Sequence, residues 1–199
     1  MAKKPDRAPK QARAVHKRDA APAPAAAAPA TPLPAGTVGA DVPLDPPAFQ
    51  KLITAAATEN TTGGQQVWTK NSSELTVIAG KVAITLDDGL IVVIIPVSCD
   101  QLTSATIQVP FATGGKDTPA GMVFATEERP RGPEAIVDLW GEALTAYAWR
   151  LLVTAMHRVT LQAGVDADGA GLVPIAVTAA KDGIRLLPMA RHAFDRVRL

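Results

Sequence analysis

The chain has 199 residues, 47% apolar and 20% charged, with aromatics at 4% and a single cysteine. This composition describes one globular domain plus a tail, with a core built mainly from Val, Ile, Leu and Ala. One cysteine excludes an intrachain disulfide and a thiolate metal cluster, and it fits a reducing, cytoplasmic setting. The net charge of +1 conceals an asymmetry: residues 1–20 sum to +5 and the remainder to −4. Opposite signs on tail and body bear on partners rather than on fold.

The basic groups of the tail are Lys3, Lys4, Arg7, Lys10, Arg13, Lys17 and Arg18. No apolar stretch follows them, so the N-terminus does not read as a secretory signal. Residues 21–36 are almost wholly Ala and Pro. Proline at that density blocks a helix, and the stretch holds too little apolar bulk to offset the entropy of ordering. Residues 1–45 are therefore expected to form a disordered basic arm and linker, and 46–199 a single α+β domain.

Pro46-Pro47 opens a short helix over 48–58, with Phe49, Leu52, Ile53 and Ala56 at helical spacing. Strands are expected at 65–70, 75–78 and 81–86, with a turn at Asn71-Ser72-Ser73. Asp87-Asp88-Gly89 turns the chain into 90–97, Leu-Ile-Val-Val-Ile-Ile-Pro-Val. A continuous β-branched run reads as a central strand covered on both faces. Further strands are expected at 104–111 and 122–126. Short turns between consecutive strands predict an antiparallel meander.

Pro133 and Glu134 favour the start of a long helix running to about residue 159. Ile136, Trp140, Leu144, Tyr147, Leu151 and Ala155 make one apolar stripe. Trp149, Val153 and Met156 make the opposite face apolar in the second half. Apolar residues on two sides require cover, either from the C-terminal strands or from another chain. A hairpin around Lys181-Asp182-Gly183 follows, with strands at 172–178 and 184–189.

Several residues are candidates for sites. Cys99, just past the central strand, would need a histidine base to act as a nucleophile, with His157 and His192 as the only histidines in the domain. Gly114-Gly115-Lys116-Asp117-Thr118 departs from a phosphate loop at Pro110 and Asp117, and reads as a strand connection. Asp166 and Asp168 lack the later ligands of a calcium loop. Arg150 and His157 share a helix stripe that could form an anion site or a subunit contact. Glu127, Glu128, Asp138 and Glu142 form an acidic run, best read as solvated.

No metal or cofactor is called for by these motifs, and no membrane segment is expected. The sequence points to a non-enzymatic interaction or assembly module that self-associates or docks a protein, with a basic arm for an acidic partner. Two alternatives stand beside it: salt-sensitive, sequence-nonspecific nucleic-acid binding through the arm, and a small enzyme using Cys99.

Overall fold

Strand β5, Leu90–Cys99, is the axis of the fold. In the computed structural model, which describes residues 41–59, 61–117, 124–125, 128–162 and 172–190, the chain is α+β. The elements in order are β1 (Val42–Leu44), α1 (Pro46–Thr58), β2 (Gln66–Lys70), β3 (Ser73–Val77), β4 (Ala83–Asp87), β5, β6 (Leu102–Ala112), β7 (Phe124–Ala125), α2 (Glu134–Gln162), β8 (Leu172–Ala180) and β9 (Gly183–Ala190).

β5 pairs with β6 along its whole length on one edge. Its other edge is shared: β4 takes the first half, Leu90 to Ile94, and β3 takes the end, Val97 to Cys99. The sheet is antiparallel as expected, with β3 and β4 sharing one edge of β5. The 3-10 turn Ala79–Lys81 lets the chain leave β3 and return beside the same strand as β4. A second sheet has the order β1-β9-β8. β1 lies within the span read as linker, and its register against β9 (Val42 opposite Leu186) joins it to the domain.

The expectation that β5 is covered on both faces is overturned. Ile91, Val93, Ile95 and Val97 are fully buried, while the alternate residues Leu90, Val92, Ile94 and Pro96 are only half-buried. Period-2 geometry sends successive side chains to opposite faces, and only one of those faces is fully enclosed. The buried side continues across β6 as Ile107, Val109 and Phe111, and across β3 as Leu75 and Val77.

α1 opens as expected on two prolines, and Asp45 caps it by accepting the Ala48 N–H at 2.7 Å. It buries Phe49, Ile53 and Ala57. Gln50 docks the helix on β4: its Nε2 donates to the Val82 carbonyl and its Oε1 accepts from the Ile84 N–H, both at 2.9 Å. The 29 residues of α2 make it about 43 Å long. The stripe from Ile136 to Ala155 faces the core as the spacing predicts. Arg158 reaches Glu59 at 2.6 Å, joining α2 to the residue that ends α1. The C-terminal hairpin is as expected and packs on α2. Of the strand expected at 122–126, only Phe124–Ala125 lies among the described residues.

Ile95→Ala should cost about 3 kcal/mol in urea unfolding, since it empties a fully buried site. Ile94→Ala, on the other face of the same strand, should cost less than half as much. Equal losses would show that both faces are covered in solution.

Candidate functional site

The 129–133 segment is held against β6 before α2 begins. Arg131 and Gln108 exchange both backbone hydrogen bonds at 2.8 Å. Gly132 makes this approach possible, because a Cβ there would run into Ile107 Cδ1. Arg129 is thereby brought over the first turns of α2, where it pairs with Asp138. From the other side, Lys70 at the end of β2 donates to the Leu139 carbonyl at 2.9 Å.

Between these two cations the outward face of α2 lines a surface groove of about 800 Å³. Asp138, Glu142, Thr145 and Trp149 follow one another along it at i, i+4, i+7 and i+11, a stripe about 16 Å long. Trp149 ends the stripe. It is 38% exposed, and its ring lies tilted over Phe111 with centroids 6.1 Å apart. Among the described residues the two cations are engaged and Glu142 has no ion-pair partner. The groove thus pairs an aromatic anchor held on a buried phenylalanine with an open carboxylate.

The residues singled out from sequence separate here. Met156 is 3% exposed and belongs to the same core cluster as Val177 and Leu186 of the C-terminal hairpin, so it is covered within the chain. Val153 is half-buried, and Trp149 alone of the three stands substantially open. Arg150 lies over the Tyr147 ring at 5.4 Å, while His157 sits half-buried two turns on.

Cys99 closes β5 in a small hollow with Glu74, Asp100, Leu102 and Trp140, where no described residue is a base of histidine or lysine type. Trp140 and His157 are 17 residues apart on α2, about 25 Å along its axis. His157 therefore cannot deprotonate Cys99 directly. His192 lies outside the described residues, as do the tail cations, Asp166, Asp168 and Glu127.

The Gly114-Gly115-Lys116 loop is a joint between sheets. The Gly114 N–H donates to Val177 O and the Ala179 N–H to Gly114 O, each at 3.0 Å. The Lys116 N–H donates to Asp88 Oδ1 at 2.5 Å. These donors are spent on protein acceptors, which leaves no nest for an anion. The acidic run does not converge either: Glu128 pairs with Arg131 and Asp138 with Arg129. Among the described residues no three His, Cys, Asp or Glu side chains gather as a metal site requires, and no helix is long and apolar enough to cross a membrane.

Sequence reasoning missed the cluster of Trp68, Trp140 and Tyr147. Trp68 meets Tyr147 edge-on at 5.5 Å and Trp140 at 6.3 Å. The Tyr147 hydroxyl is buried with no hydrogen-bond partner. Burial pushes its pKa up, against a smaller lowering by Arg150. Comparison with family models, with curated proteins and with solved structures finds no match to this chain.

Two outcomes follow for Tyr147. Removing an orphaned buried hydroxyl relieves its desolvation cost, so Tyr147→Phe should leave stability at pH 7 unchanged or raise it by up to about 1 kcal/mol. The wild-type contribution is fully present below the unfolded tyrosine value near pH 10. Above it the unfolded phenol ionises and the folded one resists, so stability falls; the variant should lack that fall. Thermal unfolding at pH 7 and at pH 10.5 checks both.

Proposed function

We propose that this chain is a non-enzymatic interaction module that holds a protein partner in the groove on the outward face of α2. The observation that carries this reading is Trp149, an indole fixed on Phe111 at the end of a groove of about 800 Å³ and left 38% exposed. A large aromatic held in place but not buried is the residue type that dominates interface energetics, because little side-chain entropy remains to be lost on binding. The open carboxylate of Glu142, two turns away, favours a partner segment with a basic residue spaced from an apolar one. The basic arm, which lies outside the described residues, extends this reading as a tether to an acidic surface.

The test uses a photo-crosslinker in place of Ala146, an exposed groove residue, in the full chain. It should yield a discrete protein adduct in cells that make this protein. The yield should fall about 30-fold in Trp149→Ala and stay unchanged in Lys181→Ala, a distant exposed site. An adduct indifferent to Trp149→Ala would overturn the groove as the docking surface. The charge asymmetry between arm and body keeps a second reading, nucleic-acid binding. It requires affinity that drops steeply between low and high salt and disappears when residues 1–20 are removed.

A further inference from the structure

Among the described residues most strand edges meet another element, and one five-residue edge meets none. At the start of β4's free edge the Gln50 amide bonds the Val82 carbonyl and the Ile84 N–H. β6 is met by β7 and by Arg131. β8 is met by Gly114, and Ala179 accepts from the Gly89 N–H at 3.1 Å. β1 is only three residues long. Among the described residues, β2 is the only strand of five or more residues with no partner anywhere along one edge.

Which backbone groups face outward on β2 follows from its hairpin. Asn71 and Ser72 form a two-residue turn, both at positive φ (50° and 63°), which makes Lys70 and Ser73 a hydrogen-bonded pair. Alternation along the ladder then commits Lys70, Trp68 and Gln66 to β3. The other side of β3 agrees with this phase: the Ile78 N–H, an even-numbered position, points away from β2 and donates to Pro96 O at 2.9 Å. Val67 and Thr69 therefore present their N–H and C=O groups to the open edge. Val67 is also 58% exposed, more than any other large apolar side chain described.

We infer that this edge pairs with the same edge of a second copy, antiparallel and centred on Trp68. In that register Val67 faces Thr69 of the second copy, and the two such pairs form four backbone hydrogen bonds. Trp68 faces its own counterpart in the non-hydrogen-bonded site, where side chains approach most closely. Lys70, the only charged residue of β2, falls opposite Gln66, so no like charges meet. The edge lacks the usual defences against pairing: it has no proline, no bulge and no charge before its last residue. Below it, Lys70 and Trp68 place β2 beside the stretch of α2 from Leu139 to Tyr147, where Ala143, outside the groove, is exposed and small. It leaves room for a second copy. This pairing is self-complementary and closes with two-fold symmetry.

The inference stands on a different observation from the Trp149 groove, and the two are tested apart. By light scattering the full chain should have twice its 20.7 kDa mass. Thr69→Pro removes an outward N–H without touching the bonds to β3. It should raise the dissociation constant about 30-fold, for two hydrogen bonds lost per dimer, with an unchanged circular dichroism spectrum and, at concentrations dilute enough for both to be monomeric, an unchanged melting temperature. A register test does not depend on proline. Val67→Asp should weaken the dimer, and Val67→Asp combined with Thr69→Lys should restore it, because the introduced carboxylate of each copy then faces the introduced ammonium of the other. A monomeric wild type, or a dimer indifferent to Thr69→Pro and not rescued by the charge pair, overturns the β2 pairing. Loss of the dimer in Trp149→Ala but not in Thr69→Pro would overturn it as well, and would assign self-association to the groove.

Discussion

One constraint organises the molecule: β5 must bury one face completely and still find partners for two edges. Its inward side chains, Ile91, Val93, Ile95 and Val97, have no exposure at all. That apolar surface requires a layer of helix, and α1 and α2 supply it from opposite ends of the sequence. The edge shared by β3 and β4 then fixes where each helix lies. β4 brings Val82 and Ile84 to Gln50 of α1, and β3 brings β2 and Trp68 to α2.

The surfaces that carry the proposals are by-products of that packing. α2 turns its stripe from Ile136 to Ala155 inward, so Asp138, Glu142 and Trp149 must look out. The Arg131–Gln108 pair and Lys70 place a cation on each side of them and make a groove out of a convex helix surface. The same logic applies to edges. Gln50, Arg131 and Gly114 each meet part of a strand edge, and among the described residues β2 ends its row with no strand beyond it. The open edge of β2 and the indole held on Phe111 are the features on which the two proposals rest.

Much of the element list was legible because it rests on local rules. Pro46-Pro47 and Asp45 start α1, Asp182-Gly183 turns the last hairpin, and the long 3.6-period stripe announces α2. Trp149, Val153 and Met156 stand out for the same reason as an apolar half-face, although the pattern leaves open which of them is covered. Other features lay beyond local reach. A run such as Leu90 to Val97 looks alike whether helices cover one face or two, and the alternation in burial appears only once the helices are placed. β1 carries three residues of ordinary sequence and is a strand only because β9 lies beside it. Arg129 reads as part of a charged break until Gly132 lets that break close on β6.

The sequence by itself determined the α+β class, the order of most elements, the inward stripe of α2 and the charge contrast between arm and body. Each follows from side-chain period, turn chemistry or a count of charges, which need no knowledge of distant neighbours. Tertiary structure alone decided that Met156 is core and Trp149 surface, that Cys99 and His157 lie at different ends of α2, and that β2 keeps an open edge. Those depend on which segments meet across tens of residues, and the free energy of such meetings is set by shape and burial in three dimensions rather than by local pattern.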